Sequence, residues 1–233
     1  MERLAHAEEL LDGPLDDLDA VAGNLRDLRR FNRVFGLGLS RAAIERLAPG
    51  RDPLRLIDIG TGGADIPVAL LADAARAGRE LCVTAVDQST EILATAERAR
   101  PGLGSVRNLD LVVAEASSLP YPDDAFDVAH SSLVAHHLEP DEVIAMLRES
   151  ARVARRGVVL NDLVRGRLFW AAAWVLGRTM TRNPLTRVDA PMSVRRAYIR
   201  AELRELVSEA GLRIEEEYGG LFGHRVAIAA VRR

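Results

Sequence analysis

Three carboxylates, each near the end of an apolar segment, could hold the polar groups of a nucleoside. Asp58 lies in LIDIG, Asp87 ends VTAVD and Glu115 lies in VVAEA. If the segments are parallel strands, their carboxyl ends meet at the edge of the sheet where ligands bind. There Asp87 can accept hydrogen bonds from two ribose hydroxyls, and Glu115 lies where an adenine amine would be. With Asp58, they predict a site for a ligand that combines a positively charged amino-acid part, a ribose and an adenine.

The glycines Gly60, Gly62 and Gly63 follow the first of these segments. Without Cβ atoms, they let the backbone approach a ligand and adopt turn angles that other residues resist. A dinucleotide fingerprint would need a glycine where Asp65 stands, which disfavours a nicotinamide oxidoreductase. A P-loop would need a lysine, and the sequence has none, so that kind of phosphate site is excluded.

The segments that must position these residues alternate between strand and helix patterns. Near-continuous apolar strands between helices predict a parallel sheet covered on both faces. Predicted strands cover residues 54–60, 81–87, 109–116, 126–133, 157–163, 213–220 and 224–233, and predicted helices cover 65–78, 89–100, 140–154 and 200–212.

The chain resembles the class I S-adenosylmethionine-dependent methyltransferases, close to those that act on quinones and small molecules. The matching segments are LIDIGTGGAD, VTAVDQSTEILATA, LVVAEASSLPYPDDAFDVAHSSLVAHHL and ELVSEAGL. The resemblance implies an α/β, doubly wound, Rossmann-like sheet of seven strands, mostly parallel with an antiparallel last strand. It also implies S-adenosylmethionine as cofactor. The glycine loop departs from the frequent G-x-G-x-G pattern, because Ala64 follows Gly63.

The cofactor-binding residues implied by this resemblance lie at the ends of the first four predicted strands. They are Asp58, Gly60, Thr61, Gly62, Asp87, Gln88, Glu115, Ala116 and Ser131. In this assignment Asp58 is near the methionine amino group, Asp87 holds the ribose, and Ser131 lies beside the sulfonium.

Two adjacent histidines, His136 and His137, follow the fourth predicted strand, where an acceptor would lie. Methyl transfer to a phenol or an acidic carbon needs a deprotonated acceptor, and imidazole is a suitable base near neutral pH. They are the predicted catalytic residues. The alternative is that they are structural, since alignment and exclusion of water can suffice for a reactive methyl donor. No metal site is predicted, because no Cys/His group has zinc-ligand spacing.

A segment over residues 165–200 interrupts the alternation and is expected to form a helical cap over the acceptor. It contains the run LFWAAAWVL, eight arginines and one acid, Asp189. Phe169, Trp170, Trp174 and Arg195 are the predicted substrate contacts, which favours an apolar or aromatic acceptor. The arginines indicate an anionic group on that acceptor, a nearby membrane surface, or pairing with the acidic first twenty residues.

The whole chain is predicted to divide into an N-terminal helical arm, residues 1–50, and a methyltransferase domain, residues 51–233, which includes the cap segment. The pattern in LRDLRRFNRVFG makes Arg29, Asn32 and Arg33 candidates to close over the cofactor, although a simple packing helix fits equally well.

Composition limits the range of partners. The 233 residues carry a formal net charge of −3, so no broad positive field favours nucleic acid. Cys82 is the single cysteine, and neither a signal peptide nor an apolar run long enough to cross a bilayer is apparent. These features predict a cytoplasmic protein. Peripheral membrane contact and a homodimer are both compatible with the sequence.

The predicted function is O-methylation of a phenolic polyketide or lipid-like compound, in secondary metabolism. C-methylation of a quinone-type precursor is the alternative within the class. From other classes, a catalytically silent fold that acts as a binding protein stays open.

Overall fold

A seven-stranded sheet in the order β3-β2-β1-β4-β5-β7-β6 forms the centre of the chain. The computed structural model describes residues 1–7, 9–11, 13 and 17–233. The strands are β1 (Leu54–Ile59), β2 (Leu81–Asp87), β3 (Leu109–Val113), β4 (Phe126–Ser132), β5 (Ala154–Leu163), β6 (Leu212–Gly219) and β7 (Arg225–Arg232). The helices are α1 (Leu18–Phe35), α2 (Leu37–Leu47), α3 (Asp65–Ala77), α4 (Thr90–Ala99), α5 (Pro140–Val153), α6 (Arg167–Thr179), α7 (Pro184–Arg196) and α8 (Arg200–Glu209).

Both faces of this sheet are buried, as the apolar strands predict. Side chains alternate along a strand, so Leu56 enters one apolar core and Ile57 the other. Helices α2, α3 and α4 contribute to the first core, and α5 and α8 to the second. Strand β7 pairs antiparallel with both β5 and β6, whereas the other pairs are parallel. The predicted doubly wound sheet with an antiparallel last strand is confirmed.

Several boundaries differ from the sequence-based expectation. Strand β3 ends at Val113 rather than at residue 116, and Glu115 forms an isolated bridge with Ser118. Strand β5 starts at Ala154, immediately after α5, three residues earlier than predicted. Helix α8 ends at Glu209, and Gly211, the residue predicted to stop it, follows in the left-handed region at a φ of +84°.

The first fifty residues are tied to the sheet by α2. Its Ala43 and Ile44 share one apolar core with Val159 of β5 and Ala229 of β7. Gly36 separates α1 from α2, and a Cβ there would come within 2.6 Å of the Arg225 guanidinium carbon. Helix α1 adds Val21 and Leu25 to the same core, so both helices of the predicted arm pack into it.

Residues 165–200 form the helix pair α6 and α7. Asn183 caps α7 by accepting a hydrogen bond from the backbone N–H of Thr186, and Pro184 occupies the first turn. Gly177 is buried where α6 packs on α7, with the Thr186 carbonyl 3.5 Å from the position of a Cβ. None of the helices in the described part of the chain combines the length and the apolarity that crossing a bilayer requires.

Candidate active site at the carboxyl ends of the strands

A cavity of about 1440 Å³ opens at the carboxyl ends of β1, β2 and β4. Strand β1 lies between β2 and β4, so the strand order reverses there, and open sheets bind ligands at such a switch point. The walls come from the loops after these strands, from α1, and from the α6–α7 pair.

The glycine loop after β1 forms the floor of one half of the cavity. Gly60 and Gly62 have φ values of +67° and +53°, which glycine adopts at low cost. The loop is held by hydrogen bonds from the Thr61 N–H to the Val86 carbonyl (2.9 Å) and from the Gly62 N–H to Asp87 Oδ2 (2.8 Å). A Cβ at Gly62 would meet no atom within 4 Å, so a ligand can approach the backbone here.

Asp87 at the end of β2 is the carboxylate best placed for ribose hydroxyls. Its Oδ1 accepts a hydrogen bond from the Ser89 N–H (3.0 Å), in addition to the bond from Gly62. A carboxylate has about four acceptor positions, so two are left for vicinal hydroxyls. Burial raises the pKa of Asp87 above its ordinary value. The two acceptor positions left on Asp87 and the open backbone at Gly62 fit the ribose of S-adenosylmethionine.

Asp58 lies beneath the loop rather than on the cavity wall. It is 3% exposed, and its two oxygens accept hydrogen bonds from Thr61 Oγ1 (2.6 Å) and His130 Nδ1 (2.5 Å). Asp58 was expected to contact the methionine amino group of the cofactor, but in the structure it lies behind the cavity wall. Asp58 acts on the cavity through the loop that it fixes.

A buried polar chain continues from His130 across the sheet. His130 Nε2 is 2.8 Å from Ser40 Oγ, which accepts a hydrogen bond from Asn161 Nδ2 (2.7 Å). Asn161 Oδ1 accepts from Arg225 Nε (2.8 Å), and burial lowers the pKa of this arginine to about 10. Sequence reasoning missed these residues. The available signal was a polar side chain inside an otherwise apolar strand.

The acceptor half of the cavity contains a buried histidine–carboxylate pair. His136 Nδ1 lies 2.6 Å from Asp162 Oδ1, and the His136 backbone N–H donates to Oδ2 (3.2 Å). Burial alone would raise the pKa of Asp162, but the hydrogen bond from His136, with the positive charge that this ring carries when protonated, holds it below its ordinary value. Asp162 was not among the predicted site residues.

Glu9 and His137 lie beside this pair. His136 Nε2 is 3.8 Å from Glu9 Oε1, which is too long for a hydrogen bond. One ligand atom each from Glu9, His136 and His137 lies within 4.8 Å of the other two. This set of two imidazoles and one carboxylate has the donor types that a divalent transition metal accepts.

Apolar side chains form most of the remaining wall. Leu28, Phe31 and Phe35 project from α1, and Phe169 and Leu176 project from α6. An acceptor bound here would be surrounded mainly by hydrocarbon and aromatic surface.

One carboxylate on the wall, Asp65, has a raised pKa. Asp65, at the start of α3, accepts a long hydrogen bond from Asn32 Nδ2 (3.5 Å). Burial raises its pKa to about 6. Of the three candidates on the arm, Asn32 lines the cavity, whereas Arg29 and Arg33 are exposed and are not among its lining residues.

The structure separates the predicted site residues into two groups. Those that line the cavity are Gly60, Thr61, Gly62, Asp87, Gln88, Ala116, His136, His137 and Phe169. Those that lie off its wall, all within the described residues, are Asp58, Glu115, Ser131, Trp170, Trp174 and Arg195.

Each displacement in the second group has a physical reason. Glu115 lies in the turn after a strand that ends early, and it is exposed. Ser131 is buried, because side chains alternate along β4 and Ser132 takes the cavity side. Trp170, Trp174 and Arg195 are exposed at the surface of the cap helices.

Comparison with known proteins agrees with this geometry. Residues 57–160 match the family model described as a methyltransferase domain. The chain is 35% identical over 133 residues to a ubiquinone/menaquinone biosynthesis C-methyltransferase of Rhizobium meliloti, covering 54% of this chain and 49% of the relative. It is 36% identical over 119 residues to a malonyl-[acyl-carrier protein] O-methyltransferase of Halorhodospira halophila, covering 50% of this chain and 37% of the relative. The chain thus spans half or less of the length of these curated relatives.

Solved structures share the fold at low sequence identity. A SAM-dependent methyltransferase from Aquifex aeolicus superimposes with a TM-score of 0.63 at 19% identity, covering 90% of this chain and 97% of that chain. A magnesium protoporphyrin IX methyltransferase from Synechocystis, solved with bound SAH, gives a TM-score of 0.59 at 16% identity and covers 93% and 97%.

The switch-point cavity, the glycine loop and the strand order define a Rossmann-like methyltransferase fold. Residues 57–160 match a methyltransferase domain, and the matches above support a class I S-adenosylmethionine-dependent methyltransferase with S-adenosylmethionine as its cofactor.

The glycine loop generates a first prediction. In Gly62→Ala the new Cβ occupies open cavity space, so the affinity for S-adenosylmethionine should fall about tenfold or more, while the positive φ costs about 1 kcal/mol of stability. Gly78→Ala is a matched control, since Gly78 also has a positive φ and open space but lies at the end of α3. It should lose similar stability and keep its affinity. Calorimetric titration and urea unfolding measure both quantities, and equal affinity in the two variants would remove Gly62 from the site.

Asp87 generates a second prediction. Asp87→Asn removes charge-assisted hydrogen bonds worth about 1.5 to 3 kcal/mol, so cofactor affinity should fall roughly tenfold or more. Because burial raises the pKa of Asp87, wild-type affinity should also decline as the pH falls and the carboxylate takes up a proton. Asp110→Asn, an exposed position on β3, should leave both the affinity and its pH dependence unchanged. An Asp87→Asn variant that binds as the wild type does would contradict this assignment.

Proposed function

We propose that this protein transfers a methyl group from S-adenosylmethionine to an apolar aromatic acceptor that carries an ionisable hydroxyl group. The observation that carries the proposal is His136, which lines the same mainly apolar cavity as Gly60 and Gly62 and is paired with the buried carboxylate of Asp162. Bound S-adenosylmethionine supplies an electrophilic methyl group. The chain's own residues must align the acceptor, exclude water and remove its proton.

His136 is suited to take that proton. The Asp162 carboxylate can only accept hydrogen bonds, so it orients the ring with Nδ1 as the donor. This leaves Nε2 as the ring nitrogen that can act as a base. Positioning by a buried carboxylate is a recurring way to fix the tautomer of a catalytic histidine. His137 lines the same wall and is the second candidate.

The apolar wall favours an acceptor of matching character. Side chains such as Phe31, Phe35 and Phe169 can pack against an aromatic ring or a hydrocarbon chain. A volume of about 1440 Å³ exceeds the usual range for a drug-sized ligand, so cofactor and acceptor can be held together.

C-methylation is the second candidate. It is favoured by the similarity to ubiquinone/menaquinone biosynthesis C-methyltransferases. An ionised phenol is nucleophilic at oxygen and at the neighbouring ring carbons, so the same base serves both outcomes. The orientation of the acceptor then decides which atom receives the methyl group.

The proposal is tested by methyl transfer from isotopically labelled S-adenosylmethionine to a panel of phenols with and without alkyl chains. We expect labelled product with the apolar phenols and little with polar, carboxylated analogues. Mass spectrometry and NMR of the product distinguish an O-methyl ether from a C-methyl ring. Cofactor binding without turnover of any phenol or quinol would favour a catalytically silent fold instead.

Loss of the base gives a further prediction. His136→Asn should lower kcat about 100-fold near neutral pH while leaving cofactor affinity unchanged. Its residual rate should rise as the pH increases, because the acceptor then ionises without help. Asp162→Asn should lower kcat with the same retained affinity, since Asp162 acts through the ring of His136. His6→Asn is the control, because His6 is exposed and lies outside the cavity.

A chelator separates this role from metal binding by the same residues. If His136 acts as a base, EDTA leaves the wild-type rate unchanged. Inactivation by EDTA that is reversed by Zn²⁺ or Mn²⁺ would instead assign Glu9, His136 and His137 to a metal centre.

A further inference from the structure

Helix α6 is apolar on a side that nothing in the described chain covers. Of its thirteen residues, all described, only Gly177 is buried. We define its outer surface as Leu168, Trp170, Trp174, Val175 and the adjoining Met180, all of which are exposed. Several large apolar side chains exposed on one helix mark an interaction surface.

This surface continues to the mouth of the cavity. Leu168 lines the cavity and is 83% exposed, and Phe222, in the turn before β7, lines it and is 85% exposed. Residues that meet both conditions lie where the cavity opens to the outside. A partner that binds the outer surface of α6 therefore also contacts the entrance through which the acceptor reaches the cavity.

The positive charge of the segment between Asp162 and Asp189 indicates which kind of partner binds there. Between Asp162 and Asp189 the sequence contains five arginines and no acidic residue. Arg167, Arg178 and Arg182 are exposed next to the outer surface, and Arg178 lies over the Trp174 ring at 4.0 Å. The whole chain has a net charge of −3, so this positive field is local and would orient the molecule. Tryptophan beside arginine on an amphipathic helix is the composition of a membrane-interface helix.

We propose that the outer surface of α6, with Phe222, docks on a bilayer that contains anionic phospholipid, so that an apolar acceptor enters the cavity from the membrane. The helix lies in the plane of the interface and does not span it. The docking itself needs no methyl transfer, so its failure would leave the proposed function untouched.

The chain contains its own probe for this contact. It has two tryptophans, and both Trp170 and Trp174 lie on α6. Adding phosphatidylcholine vesicles that contain phosphatidylglycerol should shift the tryptophan emission of the full chain to shorter wavelength. Brominated acyl chains should quench it. Vesicles of phosphatidylcholine alone should bind much more weakly, because the arginines then lack a negative surface.

Paired variants separate the apolar and electrostatic contributions. Leu168→Gln with Val175→Gln should lower the vesicle partition coefficient about tenfold, and Arg167→Gln with Arg182→Gln should do the same for anionic vesicles. Both pairs leave the tryptophans in place. Urea unfolding measured for each variant confirms that it is folded.

The controls use matched residues elsewhere. Val34→Gln changes an apolar side chain on α1 that is 72% exposed. Arg51→Gln with Arg107→Gln changes exposed arginines just before β1 and β3. These residues lie at the amino ends of the strands, opposite the cavity. Each should alter partitioning by about twofold or less.

Three outcomes would overturn the proposal. The first is an emission spectrum that neither vesicle changes. The second is equal partitioning to vesicles with and without anionic lipid. The third is a shift that appears without lipid as the protein concentration rises, together with a doubled mass in light scattering, since a second copy of the chain would then cover α6.

Discussion

The hydrogen bond between Asp58 and His130 is the interaction on which the cavity depends. These residues are direct neighbours on β1 and β4, at the point where the strand order reverses. A buried polar group without a partner costs about 1 to 3 kcal/mol, and more when it is charged. The pair therefore fixes the register of the two central strands, and through Thr61 it also fixes the turn that leads into the glycine loop.

The same constraint carries the N-terminal helices into place. His130 needs a partner at its second ring nitrogen, and Ser40 of α2 provides one. Asn161 binds Ser40 and the Gly36 carbonyl, which holds the junction between α1 and α2 against β5. Arg225 extends the chain of hydrogen bonds to Asn32 of α1. The position of α1 over the cavity thus follows from satisfying polar groups within the sheet.

The fold could be predicted from sequence more completely than the site. Apolar strands alternating with helices are a repeated local signal, so the sheet and most of the strand boundaries could be predicted from it. Strand β3 was predicted too long because Ala114 and Ala116 continue the apolar pattern past Val113, while pairing with β2 ends there. Motif residues on the loops, such as Asp87 and Gly62, reach the cavity, since backbone hydrogen bonds place them.

Residues whose place depends on tertiary packing were beyond sequence reasoning. Trp170 and Trp174 have the composition of a pocket wall, but the rotation of α6 leaves them at the surface. Asp162 and Asn161 are neighbours in one apolar strand, and only the sheet shows that they serve different networks. Periodicity gives the buried face of an element, whereas the partner of a buried polar group lies far away in sequence.

The two halves of the cavity are held by different kinds of interaction. The cofactor half is held by strand pairing and the buried polar chain. The other half is covered by α1, α6 and α7, which we call the roof. The roof is held by separate hydrogen bonds, from the Leu10 and Leu11 N–H groups to Asp189 and from the Asn183 side chain to the Ala20 carbonyl. Elements without strand pairing open locally at a lower free-energy cost than the sheet does. The roof can therefore admit an acceptor while the glycine loop keeps its geometry. For the same reason, acceptor choice can change through α1, α6 and α7 without disturbing the cofactor site.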